Sequence, residues 1–151
     1  MNCYLWYRRV HVVTMKEMFD TKLKNWFFKR ILCIPIDREN TDVRTFKHIV
    51  NVLKDKRVVG IFPEGHINNS EKDVDFFKSG TTLMALKGGA PIDPMVIIKR
   101  KKWYSRQIVV IGEKIQIEQG NFNLHEIDKI SKTLREKEEE LINLYKKRST
   151  K

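Results

Sequence analysis

The chain has 151 residues, and its 30 lysines and arginines against 19 aspartates and glutamates give a formal net charge of +11 at pH 7. This length fits a single domain with a real core, and the charge favours anionic partners such as phosphate compounds, anionic membranes or nucleic acid. No apolar stretch approaches the ~20 residues that cross a bilayer, the opening residues lack the apolar core of a signal peptide, and two isolated cysteines, Cys3 and Cys33, indicate a reducing cytoplasm.

Strand-like and helix-like segments alternate along most of the chain. The predicted strands are 10–13, 31–36, 58–62, 95–98 and 108–111. The predicted helices are 15–28, 41–55 and 80–86. This alternation predicts an α/β fold with a mainly parallel sheet flanked by helices. Pro91 and Pro94 bracket a segment that we expect to be a loop or a sheet edge rather than a central strand.

A C-terminal amphipathic helix is predicted within the segment 121–151, as part of one domain over 1–151. Asn123 suits the N-cap position of this helix. The apolar stripe consists of Leu124, Ile127, Ile130, Leu134, Leu141 and Tyr145. The acidic residues Glu136, Glu138, Glu139 and Glu140 alternate with lysines. We expect these acidic residues to form a solvated outer face.

The apolar run 58–62 stops abruptly at Pro63-Glu64-Gly65. This pattern predicts a buried strand that ends in a tight turn and exposes one carboxylate. Ligand sites in open α/β sheets lie beyond the carboxyl ends of strands, so Glu64 is a candidate site residue. The alternative is a strand-terminating turn with a solvated glutamate. Two further blocks bear on this choice, Ile-Pro-Ile-Asp-Arg at 34–38 and Ala-Pro-Ile-Asp-Pro-Met-Val at 90–96.

In this order the three blocks resemble the glycerolipid acyltransferase family, which includes the 1-acyl-glycerol-3-phosphate acyltransferases. That family has Pro-Ile/Val-Asp-Arg, Phe-Pro-Glu-Gly and Val-Pro-Ile-x-Pro-Val blocks, and the segments 77–85 and 110–115 are also similar to it. The resemblance covers about 10–145. It implies the family's α/β fold, no metal and no bound cofactor. It also implies transfer of a fatty acyl group from acyl-coenzyme A or acyl-carrier protein to a lysophospholipid acceptor, lysophosphatidic acid.

One motif of the family is missing from this sequence. The family's Asn-His-x-x-x-x-Asp motif supplies the catalytic base and the aspartate that orients it, and it should precede Val10. None of the four histidines is followed by an aspartate five residues later. We therefore expect a domain truncated at its N-terminal side, with no catalytic residue of its own and impaired activity.

The resemblance assigns the remaining site residues. Arg38 matches the position that binds the acceptor phosphate, where a planar guanidinium can engage two oxygens at once; the alternative is a surface salt bridge. Glu64 matches a glutamate that supports the active site and the acceptor, and Gly65 lets the backbone approach a ligand closely. His66 is either a phosphate ligand or a solvent-exposed turn histidine. Ile67 stands where the family has a second phosphate-binding arginine.

Basic residues elsewhere suggest further contacts. Lys16 and Lys78 lie in matching segments, and each is either a substrate contact or a solvated lysine. The basic, aromatic segment 15–30 either lies in an anionic membrane interface or packs one face on the sheet. The cluster 99–104 suits anionic headgroups or coenzyme A phosphates.

We therefore expect a cytoplasmic protein, peripheral on the inner face of the membrane. The alternative function is that of a non-catalytic basic protein that binds a lipid surface or nucleic acid. No nucleic-acid-binding motif supports the second of these, so nucleic acid is not an expected partner.

Overall fold

The computed structural model describes residues 9–37, 43–65, 77–98, 104, 108–117 and 123–149. Three parallel strands, β1 (Val10–Met15), β2 (Ile34–Ile36) and β3 (Val58–Gly60), form one sheet with β1 in the middle. With helices beside this sheet, the prediction of an α/β fold with a mainly parallel sheet is confirmed.

Two helical connections join the parallel strands. A short 3₁₀ helix (Lys16–Phe19) and α1 (Lys22–Arg30) lead from β1 to β2, and α2 (Val43–Lys54) leads to β3. The single helix predicted over 15–28 is thus divided, because Thr21 is an N-cap. Its hydroxyl accepts a hydrogen bond from the Lys24 N–H at 3.3 Å, which starts a new helix.

The end of α1 explains why β2 is shorter than predicted. Leu32 adopts a left-handed conformation with φ of 62°, and the Cys33 N–H donates to the Phe28 carbonyl at 2.9 Å. Residues 31–33 therefore close the helix instead of extending the strand. The strand begins at Ile34, which is buried.

The second half of the chain adds two helices and a strand pair. These elements are α3 (Ser79–Gly88), β4 (Met95–Ile98), β5 (Ile108–Ile111) and α4 (Leu124–Ser149). β4 and β5 are antiparallel and have the predicted bounds. Ile92 forms an isolated bridge with Ile115, so the segment between the two prolines does not form part of a central strand.

The core lies between the parallel sheet and helices α2 and α3. Val13 and Ile34 from the sheet are buried with Ile49 and Val52 from α2 and Met84 from α3. Burial of such side chains is the main favourable term in folding. This core fixes the strands whose ends carry the candidate site residues.

Helix α4 attaches to this core through α3 and the β4–β5 pair. The buried hydroxyls of Thr82 on α3 and Ser131 on α4 lie 2.7 Å apart. The inward residues of α4 are Ile127, Ser131, Leu134 and Ile142. Leu124, which the sequence placed on the apolar stripe, is 80% exposed, and that assignment is wrong.

Asn123 begins α4 as predicted, with a reciprocal hydrogen bond. The Asn123 N–H donates to the Glu126 carboxylate at 2.9 Å, and the Asn123 carbonyl accepts from the Glu126 N–H. In the described part of the chain, no helix combines the length and the apolar character that crossing a bilayer requires.

Two glycines of α3 give a matched test of this packing. A Cβ on Gly88 would lie 2.6 Å from the Leu53 Cβ of α2, whereas a Cβ on Gly80 would meet no atom within 4 Å. Gly88→Ala should lower the free energy of unfolding by about 1–3 kcal/mol through overpacking. Gly80→Ala should raise it by up to about 1 kcal/mol through helix propensity. Urea unfolding of both variants measures the difference, and equal effects would contradict the described α2–α3 contact.

Candidate functional site

The carboxyl ends of the three parallel strands meet at one edge of the sheet. Met15 pairs with Ile36, so the residues that follow β1 and β2 leave the sheet side by side. β3 pairs with the other side of β1, where Val12 lies opposite Gly60. The chain after β3 therefore turns at the same edge, where ligand sites of open α/β sheets form.

Lys16 and Asp37 link the first two of these strand ends. The Lys16 ammonium lies 3.8 Å from an Asp37 carboxylate oxygen, and the Lys16 side chain is 69% exposed. An ion pair this exposed contributes little to stability, so it leaves the lysine able to exchange partners. Arg38, the predicted phosphate ligand, follows Asp37 directly and lies outside the described residues.

The predicted buried strand over 58–62 is wrong in length and burial, because β3 ends at Gly60, its residues are half-buried and Phe62 is 65% exposed. The turn after β3 has the tight geometry that its sequence predicts. The Gly65 N–H donates to the Phe62 carbonyl at 3.1 Å, and Gly65 has a φ of 72°, which favours glycine. Glu64 is half-buried rather than fully solvated. His66, the next predicted ligand, lies outside the described residues.

Lys78 packs against this turn. Its N–H donates to the Pro63 carbonyl at 2.9 Å. A Cβ placed on Gly65 would lie 3.1 Å from the Lys78 Cε and 3.4 Å from its Nζ. Because Gly65 has no side chain, the lysine can lie against the backbone. The structure therefore brings together Glu64, Gly65 and Lys78, three of the predicted site residues.

Glu138 is a residue near this turn that the sequence interpretation missed. Burial, and the nearby Glu64 carboxylate, raise the pKa of Glu138 to about 7. Glu138 lies four residues after the buried Leu134 and four before the buried Ile142, so it is on the inward stripe of α4. Its assignment to a solvated outer face is wrong. Its spacing of four residues from Leu134 and from Ile142 indicates an inward position, but the neighbouring glutamates favoured an exposed face.

His11 lies away from the carboxyl edge of the sheet. His11 is buried near the amino end of β1. Burial lowers the pKa of its imidazole, and Arg57 and His48 act in the same direction. Among the described residues, no group of three or more His, Cys, Asp or Glu side chains could hold a metal ion.

Comparison with known protein families identifies the family of the chain. The family model described as Acyltransferase matches residues 1–98, more than half of the chain. The chain belongs to the acyltransferase family. The matched residues include Lys16, Glu64, Gly65 and Lys78, and also Arg38 and His66, which lie outside the described residues.

Two relatives of this acyltransferase family member are 1-acyl-sn-glycerol-3-phosphate acyltransferases. The Bacillus subtilis (strain 168) protein is 36% identical over 86 residues, which are 57% of this chain and 42% of the relative. The Streptococcus pneumoniae (strain ATCC BAA-255 / R6) protein is 31% identical over 81 residues, 53% of this chain and 29% of the relative. The chain thus spans less than half the length of these relatives.

A solved acyltransferase structure shares the fold. The crystal structure of the 1-acyl-sn-glycerophosphate (LPA) acyltransferase PlsC from Thermotoga maritima superposes with a TM-score of 0.62 at 21% identity. The likeness covers 91% of this chain and 57% of the PlsC chain. At this identity the similarity shows a common fold, and that fold extends over nearly all of the chain described in this article.

The raised pKa of Glu138 predicts how stability changes with pH. The folded state favours the protonated carboxyl, so it holds more protons than the unfolded state between the ordinary value of 4.5 and about 7. Unfolding free energy attributable to this group therefore falls as pH rises through that window and is constant above it. Glu138→Gln removes the titration.

The stability difference between Glu138→Gln and the parent should grow from near zero at low pH to about 1–3 kcal/mol above neutral pH. Thermal or urea unfolding at a series of pH values measures it. Glu136→Gln, on the exposed side of the same helix, is the matched control for the removal of one carboxylate from α4. A pH-independent effect of Glu138→Gln would contradict the described burial.

Proposed function

We propose that this chain belongs to an enzyme of phospholipid synthesis that transfers a fatty acyl group to 1-acyl-glycerol-3-phosphate. The observation that carries the proposal is the Glu64–Gly65 turn under Lys78 at the carboxyl edge of the sheet. The names of the relatives support the same substrate class.

The reaction defines what the site must do. The acceptor hydroxyl oxygen attacks the thioester carbonyl, the hydroxyl proton passes to a base, and the thiolate leaves and takes up a proton as the ester forms. This chemistry needs a base, stabilisation of the oxyanion and a grip on the acceptor phosphate. We assign the grip to Arg38, supported by Lys16, Lys78 and His66. We assign support of the acceptor hydroxyl to Glu64, with Gly65 permitting close approach.

The net charge of the chain and the amphiphilic acceptor support a proposal for the acyl donor and for the cellular location. The net charge of +11 suits the phosphates of acyl-coenzyme A and also an anionic lipid surface. We propose acyl-coenzyme A or acyl-carrier protein as donor, no bound cofactor, and a peripheral position on the cytoplasmic face of the membrane, where the lysophospholipid is held.

One test of the proposed function concerns turnover by residues 1–151 alone. Loss of a general base costs on the order of 10²–10⁴-fold in rate, and the sequence contains no His-x-x-x-x-Asp pair. Purified 1–151 should therefore show little or no acylation of lysophosphatidic acid in a radiolabelled acyl-coenzyme A assay. Robust turnover that His66→Ala abolishes would contradict this and make His66 the base.

Another test concerns binding of the acceptor phosphate. Loss of a charged hydrogen bond costs about 1.5–3 kcal/mol, so Arg38→Ala should weaken binding of a short-chain lysophosphatidic acid roughly ten- to a hundredfold. Glu64→Ala should weaken it less, because removing the carboxylate also relieves repulsion of the phosphate. Calorimetric titration measures both.

A matched control for Arg38→Ala is available at the opposite edge of the sheet. Arg57 is exposed and directly precedes β3, at the amino ends of the strands. Arg57→Ala should bind the acceptor like the parent. An Arg38→Ala variant that keeps the parent affinity, or an Arg57→Ala variant that loses as much, would argue against an acceptor site at the carboxyl edge.

A further inference from the structure

Helix α1 turns large apolar side chains towards solvent. Leu23 is 75% exposed, Trp26 62% and Phe27 52%, and their spacing places them along one stripe of the helix. Met18, in the preceding 3₁₀ helix, is 41% exposed. We call these four residues the α1 face. All nine residues of α1 are described, and none of them is buried.

Ring contacts and helix-end hydrogen bonds fix the position of the α1 face. The Phe28 ring packs against Phe19 with ring centroids 5.4 Å apart and against Phe27 at 5.7 Å. The Thr21 cap fixes the start of the helix, and the Cys33 N–H bond to Phe28 fixes its end. Phe28 therefore ties α1 to the preceding 3₁₀ helix, the described element on which α1 mainly packs.

Charged side chains surround the α1 face. Between residues 17 and 30 the exposed basic side chains are Lys22, Lys24, Lys29 and Arg30. The exposed acidic side chains in the same segment are Glu17 and Asp20. Aromatic and aliphatic side chains within a basic border are the pattern of a helix that lies in a membrane interface. Each basic residue near an anionic surface adds to the attraction.

Two clefts flank the same helix. One of about 400 Å³ is lined by the α1 face together with Lys24 and Phe28. The other, of about 470 Å³, lies by the end of α1 and is lined by Arg9, Val10, Arg30, Ile31 and Leu32. The first cleft is apolar apart from Lys24, and the second carries two arginine side chains at the C-terminal end of α1.

We propose that the α1 face is the surface by which this protein docks on an anionic bilayer. The α1 face lies at the headgroup boundary, with the surrounding lysines and Arg30 on lipid phosphates. This inference rests on the proposed membrane location and names the surface responsible for it. The 3₁₀ helix begins at Lys16, at the carboxyl edge of the sheet, so the Met18 end of the α1 face is the end nearer the proposed acceptor site.

The composition of the α1 face favours lipid over other partners. Single-stranded nucleic acid stacks its bases on aromatic rings, and the most exposed member of the face, Leu23, is aliphatic. A second copy of the chain would bring two basic borders together, and like charges repel. An anionic bilayer satisfies both the apolar stripe and the basic border.

Vesicle co-sedimentation of the full chain, without any substrate, tests the proposal. The parent should bind phosphatidylcholine vesicles that contain phosphatidylglycerol more tightly than pure phosphatidylcholine vesicles, and salt should weaken the binding. Lys24→Glu with Lys29→Glu should weaken binding to the anionic vesicles by at least about tenfold. Leu23→Ser with Phe27→Ser should weaken binding to both kinds of vesicle.

Matched controls lie on α4. Lys129→Glu with Lys132→Glu makes the same charge change on exposed positions, and Leu144→Ser removes a side chain that is 57% exposed. Both controls should bind vesicles within about twofold of the parent, since these positions lie outside the α1 face and its basic border. Circular dichroism of every variant checks that the fold is intact.

Trp26 reports insertion directly. With Trp6→Phe and Trp103→Phe, Trp26 becomes the sole tryptophan, and its emission should shift to the blue on anionic vesicles as the indole leaves water. Unshifted emission, or α1 variants that bind like the parent while the α4 controls lose binding, would overturn the assignment of the surface. A parent that binds no vesicle, or that instead forms dimers through Leu23 and Phe27, would overturn docking itself. Neither result depends on acyl transfer, which the turnover and titration experiments test separately.

Discussion

The parallel pairing of β1 with both of its neighbours is the constraint on which the candidate site depends. Because all three strands run in the same direction, the residues that follow them leave the sheet at one edge. Lys16 then meets Asp37, and the chain after β3 turns at the same edge of the sheet, although more than forty residues separate Lys16 from Glu64. The buried residues of α2 and α3 hold this sheet, so the core determines the positions of groups that lie outside it.

Helix α4 shows a conflict between stability and placement of charge. Its inward stripe is apolar except for a serine that bonds to Thr82 and for Glu138. Burying a carboxyl beside another carboxylate costs free energy unless one of them takes up a proton. The raised pKa of Glu138 is the result. A sequence chosen for stability alone would have an apolar residue or glutamine there.

The sequence predicted the fold well because apolar periodicity and strand–helix alternation are local signals. β4 and β5 have the predicted bounds, and the family resemblance is confirmed by the matched family model. The errors arose where a local signal was overridden. Thr21 divided a helix, the left-handed Leu32 shortened β2, and Glu138 was judged by its charged neighbours instead of its position. The roles of Arg38 and His66 remain predictions, since they depend on contacts that periodicity does not specify.

Helix α1, which connects β1 to β2, is largely exposed, and this affects local unfolding of the domain. Since α1 contributes no buried residue, its unfolding exposes little of the core and is largely uncoupled from global unfolding. Its backbone amides should then exchange with solvent through local fluctuations that leave the three-stranded sheet intact. Any partner that binds folded α1 selectively would slow this exchange by mass action. Helix α1 can therefore become more ordered when a partner binds it, while the rest of the domain keeps the same structure.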